Sequence, residues 1–298
     1  MPRGKAYKTL KLIEQIKSIL KVIQPASVRA VCYQLFVRKL IPSIAKSRTN
    51  CVGVQLLYAR ENELIPWQWI VDETRHVEGW PGWDNKEEFK LVSLRSYRLN
   101  RWVTQPIRVE VWSEKGTVRG TLNPVLEKYG VGFRVMHGFS SATVLHDVVA
   151  VQQQSDAPLI VLYVGDRDPS GLYMVEVDLP NRLAELWRQA GAKVPFNIRI
   201  IAVALTQKDC RALPSFPPKP KDPRYKWFVA NHGHKAWELD AMNPAVLRRR
   251  VESAILQQDI DWDAWERVEL CSQAEQASLE NVLSAWAKIT NISMQAPK

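Results

Sequence analysis

The chain has 298 residues, 46% of them hydrophobic and 24% charged, with a formal net charge of +10; this length and mixture fit two modest domains with a sizeable core and exclude a disordered or fibrous chain. No apolar run approaches the roughly 18 to 20 residues that span a bilayer, and Met1-Pro2-Arg3-Gly4-Lys5 is followed by no signal-like apolar stretch, so the expectation is a cytoplasmic, nucleoid-associated protein with no membrane partner. The four cysteines, Cys32, Cys51, Cys210 and Cys271, are scattered without a C-x-x-C pair, which speaks against a zinc finger and a disulfide framework.

The charge is concentrated at one end. Residues 1 to 60 hold twelve Lys or Arg against the single acid Glu14, and the rest of the chain is close to neutral. A basic excess in a segment patterned to fold points to a polyanion, DNA or RNA, of which double-stranded DNA is the expected partner. Lys8 to Ile23 places Leu10, Leu12, Ile13, Ile16, Ile19, Leu20 and Ile23 at helical spacing. Pro25 and Ser27 announce a second start, with Ser27 as N-cap of a helix over Val28 to Arg38. Ile41-Pro42-Ser43 reads as a turn, and a third helix follows over Thr49 to Asn62. With "IPWQWIVDETR" (Ile65 to Arg75) as a small β-wing, residues 1–75 outline a winged helix-turn-helix domain. Its third helix carries Gln55 and Arg60 toward a groove, and Lys39, Lys46 and Arg48 are the cations expected to touch phosphates.

Residues 76–105, rich in Trp and Gly and then helical over "KLVSLRSYRLNRW", read as a connector. From 106 to 298 the pattern alternates strand and helix: "IRVEVWSEKG", "TLNPVLEKYG", "VGFRVMHGF", "SATVLHDVVAVQQQ", "APLIVLYVGDRDPSG", "YMVEVDLPNRLAELWRQAG" and "FNIRIIAVAL". Such alternation predicts an α/β fold with a mostly parallel, Rossmann-like sheet. The C-terminal "PAVLRRRVESAIL" and "QAEQASLENVLSAWAKI" predict two amphipathic helices. Functional groups on such sheets gather beyond the carboxyl ends of the strands, where Glu114 ends the first strand and Asp166 and Asp168 end the third.

Side chains two apart in an extended segment point the same way, so Asp166 and Asp168 face one point. If the first and third strands are neighbours, Glu114 joins them, and three hard oxygen ligands suit Mg²⁺, or Mn²⁺ in its place. Such an ion would neutralise a phosphodiester and stabilise a departing oxygen. The plainer alternative pairs Glu114 with Lys115 or Arg119 and makes the two aspartates helix caps.

"EVWSEKG" followed by "VGDRDPSG" resembles the Toprim domain, and the D-x-D-P-x-G context is similar to the A subunit of type IIB DNA topoisomerase (topoisomerase VI) and the related meiotic double-strand-break protein. The resemblance implies that Glu114, Asp166 and Asp168 hold Mg²⁺ and that Lys115 matches the basic residue after the glutamate. Gly138 resembles the glycine opening the second Toprim helix, and "WELDAMNP" (Trp237 to Pro244) resembles a downstream family segment. In that family the nucleophile is a tyrosine in R-x-x-x-Y, matched here by Arg29 and Tyr33 in "SVRAVCYQLF". Positions i and i+4 share a helix face, and Tyr33 falls on the flank of the apolar stripe, free to face a partner. Ala30 and Cys32 depart from the family pattern. The resemblance further implies a homodimer, each tyrosine acting with the partner's metal. No Gly-rich phosphate loop occurs, so ATP-driven strand passage would need a separate ATPase B-type subunit.

Three readings follow: a topoisomerase VI A-like transesterase acting through Tyr33, a Toprim nuclease using water in a defence or mobile-element role, or a non-catalytic winged-helix DNA-binding protein. "LPSFPPKPKDPRYKWF" reads as a surface loop docked by Trp227, and His232 and His234 as ordinary loop histidines.

Overall fold

The computed structural model describes residues 7–70, 82–136, 142–191 and 195–288. Two compact units divide the chain, one made of 1–75 with 107–258 and the other of 76–106 with 259–298. Among the described residues no helix is long and apolar enough to cross a membrane.

In the first unit, α1 (Tyr7–Ile23), α2 (Val28–Val37) and α3 (Lys46–Glu61) follow the expected starts and stops closely. Ile13, Ile16, Ile19, Leu20 and Ile23 of α1 pack with Val31 and Leu35 of α2 and with Val52 and Leu56 of α3 in one buried cluster. Ser27 caps α2 by accepting a hydrogen bond from the Ala30 amide at 3.1 Å. The described part of the expected wing forms no hairpin. Trp67–Trp69 is a single 3₁₀ turn, and the next residue makes one parallel bridge, Ala26 to Ile70. Pro66 lacks an amide donor, and the Arg60 guanidinium stacks over the Trp67 ring at 4.1 Å, both of which favour a turn over a ladder. Residues 71–75 lie outside the described residues, as does Gly138.

The same unit contains β1 (Arg108–Ser113), α5 (Val118–Tyr129), β2 (Gly132–Val135), α6 (Ala142–Gln152) and β3 (Leu159–Val164). α7 (Pro169–Tyr173), α8 (Leu179–Gln189), β4 (Ile198–Ala204), α9 (Tyr225–His232) and α10 (Pro244–Leu256) complete it. The strands form one all-parallel sheet in the order β2-β1-β3-β4. Every β3 residue is buried, as expected of a central strand covered on both faces. Trp112, Leu145, Leu159, Val161, Tyr163, Leu172, Met174 and Leu183 form its core with their neighbours. Thus the α/β class and the parallel sheet are present. Where one helix was expected over 173–191, α7 and α8 are joined by a π-turn at Met174–Asp178, just before Pro180, whose missing amide cannot close the regular i to i−4 bond.

The second unit pairs α4 (Lys86–Ser96) with α11 (Trp262–Lys288). Asn85 accepts from the Glu88 amide at 2.9 Å while Glu88 accepts from the Asp84 amide at 2.8 Å, a reciprocal cap on α4. Phe89 meets the edges of Trp83 and Trp286, and Trp102 meets that of Trp265 at 5.5 Å between ring centres. The Gln105 amide side chain and the Asp261 backbone exchange two hydrogen bonds of 3.0 and 2.9 Å. Residues 76–105, read from the sequence as a connector, fall within this unit.

Candidate functional site

The site is built by the parallel pairing of β1 with β3. Trp112 lies opposite Tyr163, so the two strands leave the sheet side by side, Glu114 and Lys115 following one and Asp166 to Asp168 the other. The D-x-D-P-x-G turn has a steric reason. A Cβ on Gly171 would run into the Asp166 carbonyl oxygen, and Asp168 Oδ1 accepts from the Gly171 amide at 2.8 Å as the cap of α7, with Pro169 at its first position. Capping, one of the sequence alternatives, is therefore real for Asp168, which nonetheless lines the cleft described next.

A cleft of about 560 Å³ opens here, and Glu114, Lys115, Asp166 and Asp168 all line it. Burial first, and then the charges of Asp168 and Asp166, push the half-buried Glu114 carboxyl above the usual carboxylate range. Burial also raises Asp166, although Lys115 Nζ lies 2.9 Å from its Oδ1 and the Leu239 amide donates to the same oxygen at 2.7 Å. Lys115 is half-buried, which opposes its charge, yet Asp166 and Asp240 more than offset this and keep the ammonium charged. The sequence alternative pairing Glu114 with Lys115 is not what forms, because Lys115 reaches across to the aspartates.

The acids fit a divalent ion in donor chemistry: three carboxylates at one cleft suit a hard cation that retains water. As they stand, no group of three or more His, Cys, Asp or Glu side chains among the described residues is arranged to hold an ion. The Lys115 ammonium and the Leu239 amide occupy one Asp166 oxygen, Oδ1, and one Asp168 oxygen caps α7.

Tyr33 and Arg29 approach the same cleft from α2. Arg29 lines it and pairs with Glu238 and, through Nε at 3.1 Å, with Asp240. The tyrosine itself is 1% exposed, so the ring on the helix flank is packed inside and not displayed. It meets Phe216 edge-on at 6.3 Å, and the Arg29 guanidinium stands 5.8 Å from its ring centre. Its hydroxyl forms no hydrogen bond of good geometry and faces Glu238. Burial, reinforced by the Glu238 charge, pushes the phenol up. Three neighbours of Tyr33, namely Arg29, Phe216 and Glu238, line the cleft, so the phenol lies one residue behind its wall.

Glu238 and Asp240 carry no role in the sequence reading, although they lie in "WELDAMNP". Their place is fixed by an antiparallel bridge in which the Arg167 amide donates to Trp237 O at 2.9 Å and the Trp237 amide donates to Arg167 O at 3.0 Å. A second bridge, Phe216 with Ala236, fastens the Pro-rich loop as another wall. Spacing carries no signal for Glu238 and Asp240, because Asp240 lies in a 3₁₀ turn, Leu239–Ala241, and not in an extended segment. In that loop Asp222 holds Arg224 by side-chain contacts of 2.7 and 3.0 Å, and Arg224 and Lys219 line the cleft. Trp227 does dock, against Tyr173 at 5.0 Å, but from within α9. His232 is engaged by Glu176 at 2.9 Å and lies 3.3 Å from Arg167.

The five expected DNA-contacting side chains do not form one stripe. Lys39, Lys46 and Arg48 are exposed, and Gln55 and Arg60 are half-buried. At 3.6 residues per turn, Arg48 and Gln55 share one flank of α3 and Lys46 and Arg60 the other. Between them runs Asn50, Val54, Leu57 and Glu61, with Val54 and Leu57 exposed. Arg60 is engaged with Trp67 through its ring and carbonyl. Compared with known proteins, the chain matches no family model and no curated sequence.

Proposed function

We propose that the protein cleaves DNA phosphodiester bonds in a divalent-ion-dependent reaction at this cleft and resembles the A subunit of topoisomerase VI in its Toprim-like acids. The observation that carries the reading is the delivery of Glu114, Asp166 and Asp168 by adjacent parallel strands into one cleft that also holds Arg29, Lys219 and Arg224. Glu114, Asp166 and Asp168 would hold Mg²⁺ or Mn²⁺, which when bound supplies charge neutralisation at the phosphate and at the departing oxygen. Lys219, with whatever donors Arg29 and Arg224 can turn from their carboxylate partners, would bind a phosphate beside the acids.

Two nucleophiles fit. In transesterification Tyr33 Oη attacks phosphorus, a phosphotyrosyl bond forms, the bond to the deoxyribose oxygen breaks, and that oxygen takes a proton from solvent. Glu238 favours this reading. Burial opposes its charge, but the pair with Arg29 outweighs burial and holds the carboxyl below the usual range, so an ionised oxygen faces the phenol and can accept its proton. The burial of Tyr33 favours the second reading, in which water in the cleft attacks and Tyr33 is packing. In the first reading the ring must become accessible to DNA held at the acids of a partner subunit in a homodimer while Glu238 stays beside it.

Incubation with supercoiled plasmid and Mg²⁺ or Mn²⁺, stopped by denaturant with and without protease, separates them. Transesterification leaves cut DNA bound to protein until protease is added, and Tyr33→Phe abolishes cutting. Hydrolysis leaves free ends and a Tyr33→Phe variant that still cuts. A wild-type protein that binds plasmid but never cuts it overturns both.

A further inference from the structure

Lys115 stands between two carboxylates. Its Nζ lies 2.9 Å from Asp166 Oδ1 and 3.0 Å from Asp240 Oδ2. Asp240 is almost fully enclosed and also receives Arg29 Nε at 3.1 Å, while Arg29 keeps a second partner in Glu238. Asp166 thus has a tethered cation on Oδ1, and a divalent ion bound to the same carboxylate would stand close enough to that ammonium for strong repulsion.

We propose that Asp240 is a positioning residue that sets how strongly Lys115 competes for Asp166, serving as the second anchor to which the ammonium withdraws when a divalent ion binds. The inference rests on the reading of Glu114, Asp166 and Asp168 as an ion site. With Asp240 present, Lys115 leaves Asp166 while keeping a contact already made at 3.0 Å. Without it, withdrawal leaves a half-buried ammonium with no carboxylate partner, at a cost in desolvation. Asp240 is not itself an ion ligand in this account. Its other tie, to Arg29, is the one that can be spared, because Glu238 holds Arg29 as well. The competing ammonium and its second anchor come from the separated segments after β1 and before α10, so the balance is a property of the fold and not of one loop.

The test is Mn²⁺ binding to the full chain, read from the spectrum of the free ion by electron paramagnetic resonance, with a thermal melt of each variant to establish folding. Lys115→Met removes the competitor and is expected to tighten binding about tenfold, and Asp240→Asn to weaken it about tenfold. Asp240→Glu, which keeps an anchor, is expected to stay within about threefold of wild type. In the Lys115→Met background the Asp240→Asn penalty is expected to shrink at least about threefold, because no ammonium remains to reposition. An equal penalty in both backgrounds overturns the proposal, since Asp240 would then act on the ion directly. Mn²⁺ bound alike by all variants overturns it while leaving the ion site standing. Mn²⁺ bound by none, with every melt cooperative, removes the ion site and the proposal together. If Asp240→Asn does not fold, the other arms decide: Lys115→Met that fails to tighten binding overturns the proposal.

Discussion

The acid-lined cleft and the basic three-helix region hold charge in different ways. In the cleft, Lys115, Arg29, Asp166, Asp240 and Glu238 are interlocked at hydrogen-bond distance. Enclosing charge is tolerable only when it is matched in this way, so the carboxylates and Lys115 are held in place by strand ends and bridges. On α3 and the turn before it, Lys39, Lys46 and Arg48 extend into solvent, where a charge costs little and its neighbour is optional. The first region can therefore act through geometry. The second can act through its summed field and through phosphate contacts that need no fixed geometry.

That contrast breaks most readily under salt. If the basic helices neutralise about 6 to 10 phosphates, affinity for duplex DNA falls by about 10³ to 10⁵ between 50 and 200 mM salt, as a titration by fluorescence anisotropy would read. Replacing Lys39, Lys46 and Arg48 together by alanine is expected to lower the salt slope by about 3 and to leave sequence preference unchanged. A flat salt profile of the wild-type protein would remove DNA from the account of this region.

The cleft is expected to respond to one atom instead. Glu114→Gln keeps the shape and removes the charge, and is expected to lower ion-dependent plasmid cutting by about 10²-fold or more. Its melting temperature should be no lower than that of wild type, because the glutamate is held against burial and against Asp168 and Asp166. A variant that cuts normally would show that the acids are structural, and one that melts early would show that Glu114 stabilises the fold.

The same contrast explains what could be read from the sequence. The β1 and β3 ends were legible because alternation and apolar runs fix strands, and D-x-D-P-x-G fixes a turn whose glycine meets a backbone oxygen. Helix boundaries in residues 7 to 61 were legible from periodicity and the Ser27 cap. What sequence could not supply was partnership across long separations. Arg29 meets Glu238 and Asp240 more than 200 positions away, and local spacing carries no record of such a contact. For the same reason the placement of Tyr33 was misread: the flank of α2 is covered by Phe216. In the described part of the expected wing, a turn at Pro66 and Trp67 and an Arg60 stack stand where a strand was expected.

A matched ion pair outside the cleft sharpens the comparison with the smallest of these effects. Asp209 follows β4, has a side chain only 6% exposed, and accepts from the Thr206 amide and hydroxyl at 2.7 and 2.9 Å as well as from Arg250. Burial works against its charge, but Arg250 and Thr206 outweigh burial and hold the carboxyl below its usual value. A carboxylate whose folded pKa is depressed contributes stability in full above the unfolded value near about 3.9 and loses it as pH falls through the lower folded value. Asp209→Asn is therefore expected to cost about 2 kcal/mol at pH 7 by denaturant unfolding. The gap should stay constant down to about pH 4 and close below it. DNA cutting and its salt slope should not change. If Asp209→Asn altered cutting as strongly as Glu114→Gln, matched charge would count equally everywhere in this unit, and the separation of a geometric cleft from a merely stabilising ion pair would not hold.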